Sequence, residues 1–130
     1  VKTQRNGTAR KEIGSKKAAF DLTYLRSISD NNEQFLDEMV QTFLQSIPPV
    51  LSEMSRCLSE KNWHRLSRLA HQIKPSFGLM GMDDLRKAVF VIEQSAADET
   101  NLSGLVDGTT QFIRDCKAVI AALAEKSITR

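Results

Sequence analysis

The sequence is poor in the residues that mark several fold classes. Its 130 residues include only three prolines and six glycines, too few for the frequent turns of a β-sandwich or barrel, and no stretch alternates cleanly between apolar and polar residues. Two cysteines are too few for a disulfide-stapled secreted domain, so we interpret Cys57 and Cys116 as buried free thiols. The apolar run at residues 118–124 is far shorter than the roughly 20 residues of a membrane span. We therefore expect no membrane insertion.

Motifs for nucleotide and metal chemistry are missing as well. The chain has no glycine-rich phosphate loop or Walker motif, which predicts that it has no ATP site of its own. Its two histidines, His64 and His71, are too far apart in sequence to share a zinc ion, because zinc ligands on one helix need a spacing of four. We therefore expect no metal site and no hydrolytic active site.

Positive charge is concentrated at the N-terminus. Residues 1–17 contain six lysines and arginines but one glutamate, without an apolar period, whereas the rest of the chain is net acidic. This composition predicts a basic, flexible linker over residues 1–19. No aromatic residues interleave the basic ones, so nucleic-acid binding is not expected. The first residue is valine rather than methionine, which suggests a piece of a longer protein.

Apolar residues with helical spacing dominate residues 20–127. They predict a short helix at 20–29, then a long helix that begins with a capping box of Asp30 and Glu33. The apolar stripe of the long helix keeps its phase across Pro48 and Pro49, so we expect a kink there rather than a loop. Its predicted core-facing residues are Phe35, Met39, Phe43, Ile47, Leu51, Met54 and Leu58.

Three further helices follow, joined by short connections. Asn62 is predicted to cap the second long helix and Gly81 to end it in a left-handed conformation. Asp83 or Asp84 opens the next helix, and a turn at residues 98–101 precedes the last one. Short connections make neighbouring helices antiparallel. The sequence therefore predicts an all-α fold, an antiparallel up-and-down four-helix bundle with a short extra N-terminal helix.

One histidine stands apart from this apolar pattern. At about 100° per residue, His71 projects roughly 140° away from the apolar side of its helix, so we expect it to be exposed. Lys74 follows one turn later on the same face. A neutral imidazole, with an ordinary pKa of about 6.5, is a good nucleophile near pH 7. The remaining residues predicted to share this outer face, or to border it, are Ser67, Arg68, Pro75, Gly78 and Leu79.

The stretch HQIKPSFGLMG at residues 71–81, followed by Leu85, resembles the signature of histidine-containing phosphotransfer (Hpt) domains. The shared features are the histidine, a lysine three residues on, small residues at the next two positions, a glycine ten residues after the histidine, and then a leucine. The resemblance extends over residues 20–125. One position departs from it, because Pro75 stands where the family usually has glycine, and proline removes the N–H that would bond the carbonyl of His71.

The resemblance implies a phosphorelay intermediate of two-component signal transduction. His71 would accept a phosphoryl group from a receiver-domain aspartyl phosphate and pass it to a response regulator. Lys74 would stabilise the phosphoryl oxygens, and Ser67, Arg68, Pro75, Gly78 and Leu79 would form the docking face. Such a chain is a phosphocarrier rather than an enzyme.

The same resemblance implies the partners and the setting. The partners would be receiver domains and a sensor or hybrid histidine kinase, and the Mg²⁺ ion would belong to the receiver. We expect a cytoplasmic monomer, either free-standing or as the cytoplasmic part of a larger membrane-bound sensor kinase. A helical interaction module without phosphotransfer stays open as the alternative. The outward pair of His71 and Lys74 favours the phosphocarrier, because a module that only binds has no need of it.

Overall fold

The computed structural model describes residues 32–129 together with Ser27 and Asp30, and the side chains as far as Glu125. Residues 32–129 form four helices, α1 (Glu33–Glu60), α2 (Trp63–Leu79), α3 (Asp83–Asp98) and α4 (Leu102–Thr129). Each helix packs against the next, and α4 closes the bundle against α1. The predicted all-α, antiparallel four-helix bundle is confirmed. The linker predicted at residues 1–19 lies outside the described residues, as does the helix predicted at 20–29 except for Ser27.

The N-cap of the long helix α1 lies two residues after the predicted capping position. Oδ1 of Asn32 accepts a hydrogen bond from the backbone N–H of Phe35 at 3.1 Å. Asn32 has the extended backbone that an N-cap requires, with φ of −80° and ψ of 104°. Asp30 instead lies in a turn with φ of 55°. The prediction of Asp30 as the cap was therefore wrong.

The helix α1 continues through Pro48 and Pro49, so the prediction of one helix rather than a loop is confirmed. Its buried face differs at the two ends from the predicted stripe. Phe35 is 47% exposed, and Leu36 is buried in its place. Apolar residues are adjacent at positions 35 and 36 and again at 39 and 40, so the period alone did not decide between the two phases. The buried residues of α1 are Leu36, Val40, Phe43, Ile47, Val50, Leu51, Met54 and Cys57.

Three aromatic rings link the helices through the core. The ring of Phe77 on α2 makes edge-to-face contacts with Phe43 on α1 and Phe112 on α4, at centroid distances of 5.6 and 5.5 Å. Cys57 and Cys116 are buried and unbonded to each other, as predicted. Burial raises the pKa of both thiols, which are therefore protonated at neutral pH.

The turn between α2 and α3 determines which side of α2 packs against α3. Gly81 has φ of 72°, the left-handed conformation predicted for it. Its N–H bonds the carbonyl of Gly78 at 3.1 Å, and the N–H of Met82 bonds the carbonyl of Phe77 at 2.8 Å. This pair of bonds is a Schellman motif, which ends α2 and reverses the chain. The turn brings α3 back along the side of α2 that carries His71.

A buried hydroxyl on α4 offers a test of the core. Thr109 is fully buried, and its Oγ1 has no hydrogen-bond partner among the described residues. We expect Thr109→Val to raise the free energy of unfolding by about 1 kcal/mol, because valine has a similar shape and no polar atom to desolvate. Urea denaturation of both proteins measures the difference.

The matched control is Thr110→Val, one residue along α4. Thr110 is exposed, and its hydroxyl bonds the carbonyl of Val106 at 2.8 Å. Its replacement should leave the free energy of unfolding nearly unchanged. A clear loss of stability in Thr109→Val would mean that the buried hydroxyl has a partner, such as a bound water.

The length and apolar composition of a helix decide whether it could cross a membrane. Within residues 32–129, no helix combines the length and the apolar composition that crossing a bilayer requires.

Candidate phosphotransfer site

His71 lies in the middle of α2, on the side opposite the core. Its side chain is 71% exposed, whereas its neighbours Ala70 and Ile73 are buried. The outward projection predicted from the helical period is therefore confirmed. An exposed imidazole on a rigid helix is accessible to another protein without any movement of the backbone.

Glu93 on α3 holds the imidazole in place. Its Oε2 lies 2.7 Å from Nδ1 of His71, and its Oε1 lies 2.7 Å from Nζ of Lys74. The Glu93 side chain is only 13% exposed. One carboxylate therefore bridges the two residues predicted to carry the chemistry.

The pKa of Glu93 keeps it ionised at neutral pH. Burial by itself raises the pKa of this carboxyl group. The hydrogen bonds from Lys74 and His71, together with the positive charges, outweigh burial and lower the pKa overall. Glu93 is therefore a carboxylate, which can only accept hydrogen bonds.

The carboxylate also selects the tautomer of His71. Because Glu93 accepts, the neutral imidazole carries its proton on Nδ1 and leaves the lone pair on Nε2. This assignment follows from the hydrogen-bond partner. Nε2 thus carries the free lone pair, and it lies on an exposed ring.

Sequence reasoning did not identify Glu93. The residue lies 22 positions after His71 on a different helix, and its charge suits an ordinary solvated helix face. The feature of the sequence that could have indicated Glu93 was the predicted antiparallel pairing of α2 and α3 across the turn at Gly81. In that pairing His71 lies opposite Glu93, and Gly78 lies opposite Arg86.

Lys74 is less exposed than a free surface lysine would be. Its side chain is 25% exposed. Besides its ion pair with Glu93, its Nζ lies 5.0 Å from the centre of the Phe90 ring, which is a favourable position for a cation. The helical period placed Lys74 on the outer face, but α3 covers that side of α2.

The five residues predicted to form the docking face have different environments. Arg68 and Pro75 are exposed, and Leu79 is 53% exposed. Ser67 is half-buried, and its Oγ donates a hydrogen bond to the carbonyl of Glu93 at 3.0 Å. Ser67 therefore connects α2 to α3 close to the bridging carboxylate.

The fifth of these residues, Gly78, is partly covered by a side chain from α3. A Cβ atom at Gly78 would lie 3.3 Å from Cδ of Arg86. The missing side chain thus allows the aliphatic part of Arg86 to cross α2. Phe90 and Val91 on α3 are exposed beside this face.

Among the described residues, no group of three or more histidines, cysteines and carboxylates has the arrangement of a metal site.

Comparison with known proteins agrees with this geometry. The model of one protein family, the Hpt domain, matches residues 38–126. The match covers most of the bundle and includes His71, Lys74 and Glu93. Searches of curated proteins and of solved structures each gave no significant match. Because the family match spans more than half of the chain and contains an exposed histidine on a four-helix bundle, the chain belongs to the Hpt domain family.

Proposed function

We propose that this chain is a phosphorelay intermediate that carries a phosphoryl group on Nε2 of His71. The phosphoryl group comes from the aspartyl phosphate of a receiver domain and passes to the aspartate of a response regulator. The observation that carries the proposal is the bond between Nδ1 of His71 and Glu93, which leaves Nε2 of an exposed imidazole free to react. Membership in the Hpt family supports histidine phosphotransfer as the general chemistry.

The proposed transfer is an in-line displacement at phosphorus. The Nε2–P bond forms while the P–O bond to the receiver aspartate breaks, and the aspartate leaves as a carboxylate with the bonding electrons. The proton stays on Nδ1 and Glu93 accepts its hydrogen bond, so the imidazole ring gains a positive charge beside a carboxylate. Transfer to the next receiver reverses these steps. The protein contributes mainly by positioning the ring and stabilising charge.

Lys74 has a proposed role next to this ring. It holds Glu93 in place through the 2.7 Å ion pair, and its positive charge stabilises the phosphoryl oxygens from that position without contacting them. The docking face would consist of Ser67, Arg68, Pro75, Gly78 and Leu79.

The proposed partners follow from the same chemistry. A receiver domain supplies the aspartyl phosphate and the Mg²⁺ ion, so the chain acts as a phosphocarrier without a kinase site or a cofactor of its own. A sensor or hybrid histidine kinase stands upstream of it. We propose that the chain works as a monomer in the cytoplasm, by itself or as part of a larger sensor kinase.

A direct assay tests the proposal. The chain is incubated with Mg²⁺ and a receiver domain phosphorylated on its aspartate, and acid-labile phosphate on the chain is measured. We expect phosphate to move to the chain and then to a second, unphosphorylated receiver. Stable binding of receivers without any phosphate uptake would instead support the interaction module.

The docking face predicts different effects for two substitutions of Gly78. Gly78→Ala should raise the melting temperature slightly and leave transfer nearly unchanged, because alanine is favoured over glycine in a helix by about 0.5–1 kcal/mol. The flexible Arg86 side chain needs to move by only a few tenths of an ångström. Gly78→Arg should fold, yet lose most transfer from the receiver because its long side chain rises over the docking face. Thermal melts and transfer rates measure both effects.

The two outcomes separate docking from packing. A folded Gly78→Arg variant with normal transfer would contradict the docking role. An unfolded variant would show that Gly78 serves the close packing of α2 against α3.

A further inference from the structure

Two cations flank His71, one on either side of it on the same helix. Lys74 lies three residues after His71 and Arg68 three residues before it. At about 100° per residue, these positions lie about 60° to either side of His71, and each is about 4.5 Å away along the helix axis. The two positions match in angular offset and axial distance from His71, but their side chains make different contacts in the structure.

Lys74 lies on the side of the imidazole that faces α3. Its ammonium group is engaged by Glu93 at 2.7 Å, and the same carboxylate binds Nδ1 of His71. Nδ1 and Nε2 point in divergent directions from the ring. A phosphoryl group on Nε2 is therefore attached to the edge of the ring opposite the one that Glu93 binds.

Arg68 lies on the other side of His71 and is exposed. It makes no ion pair with any described residue, whereas Arg65 pairs with Glu53 at 3.2 Å and Arg86 approaches Asp83 at 3.7 Å. Side chains on a helix lean towards its N-terminus, so the ring of His71 leans over the turn that carries Arg68. Both residues line an open depression of about 490 Å³ on this face.

From this arrangement we propose that Arg68 binds the phosphoryl group carried on Nε2 of His71. The inference rests on the proposed phosphotransfer function and assigns the cation that touches the transferred group. A guanidinium group suits the task because its planar N–H groups bind two oxygens of a phosphoryl group at once. Arg68 thereby stabilises the negative charge of the three equatorial oxygens during transfer, while Lys74 continues to hold Glu93.

A small donor isolates this role from protein docking. Phosphoramidate transfers its phosphoryl group to imidazole: the Nε2–P bond forms, the P–N bond of the donor breaks, and ammonia leaves. No receiver surface takes part, so an effect of Arg68 on this reaction reflects contact with the phosphoryl group. The variants are Arg68→Gln, Arg68→Lys and Lys74→Gln. Arg114→Gln is the charge-matched control, because Arg114 is exposed on α4, the helix diagonally across the bundle from α2.

We expect Arg68→Gln to take up phosphate about tenfold more slowly than the unsubstituted chain, and Arg68→Lys to recover part of the rate. The difference should shrink at high salt, because exposed charges are screened. The ³¹P resonance of the phosphohistidine should titrate at a higher pH in Arg68→Gln, by about half a unit, since a nearby cation favours the dianion. Arg114→Gln should change neither the rate nor the titration.

Two results would overturn the inference in distinguishable ways. If Arg68→Gln behaves like Arg114→Gln while Lys74→Gln loses the rate, Lys74 leaves Glu93 to bind the phosphoryl group, and the phosphotransfer function stands. If the unsubstituted chain takes up no phosphate from phosphoramidate or from a phosphorylated receiver, the phosphotransfer function and the role of Arg68 both fail.

Discussion

His71→Gln abolishes phosphate uptake from a phosphorylated receiver and leaves the fold intact: this is the largest effect that we expect. Glutamine has no nucleophilic nitrogen, so no Nε2–P bond can form. The His71 side chain is 71% exposed, and exposed ion pairs contribute only tenths of a kcal/mol to about 1 kcal/mol, so the melting temperature should change little. Acid-labile phosphate measures the loss, and far-ultraviolet circular dichroism checks the helices.

His64→Ala is the matched control for this result. His64 is also exposed on α2, two turns before His71, which places it about 10 Å away along the axis. No hydrogen bond to a carboxylate orients it among the described residues, so we expect the variant to keep most of its phosphate uptake. If His64→Ala were inactive and His71→Gln active, the assignment of the acceptor would be wrong.

Glu93→Gln should slow transfer strongly while the protein still folds. The amide is neutral and cannot balance the positive charge that the ring gains, and its NH₂ group can bind Nδ1 in the wrong tautomer. We expect a decrease on the order of 10- to 100-fold, the range seen when the partner that orients a metal-binding histidine is removed. Single-turnover transfer from a phosphorylated receiver measures it. An unchanged rate would mean that the carboxylate does not control the reactivity of the ring.

The same variant should lose part of its stability in a pH-dependent way. Removal of the carboxylate leaves Lys74, which is 25% exposed, without its ion pair, and we expect a cost of about 1–2 kcal/mol at neutral pH. The folded-state pKa of Glu93 lies below the ordinary value of 4.5. Its contribution is therefore complete above pH 4.5 and is lost as the pH falls through the lower folded-state pKa.

Melting temperatures measured at a series of pH values test this dependence. The difference between Glu93→Gln and the unsubstituted chain should be largest at neutral pH and should disappear in acid. Glu125→Gln is the control, since Glu125 is exposed on α4 and has no ion pair with a described residue. A difference that is already lost above pH 4.5 would contradict the lowered pKa.

Most of the helical layout could be predicted from the sequence, because it depends on near neighbours in the chain. The cap at Asn62, the left-handed Gly81 and the turn at residues 98–101 are local features, and all three were predicted correctly. The start of α1 was not, because Asp30 and Asn32 have similar capping chemistry, and the backbone conformation that distinguishes them is not visible in the sequence. The adjacent apolar residues at 35 and 36 left the phase of α1 undecided for a similar reason.

The candidate site could likewise be predicted only in part from the sequence. The exposure of His71 followed from the sequence alone, because a 3.6-residue period determines which side of a helix faces the core. The chemistry of its ring depends on Glu93, and that contact joins two helices across 22 residues. It exists because the Schellman turn at Gly81 and the packing of α2 on α3 set which positions lie opposite each other. The sequence alone was enough to single out His71 as the candidate acceptor, whereas the tautomer of its ring and the ion pair of Lys74 depend on that tertiary alignment.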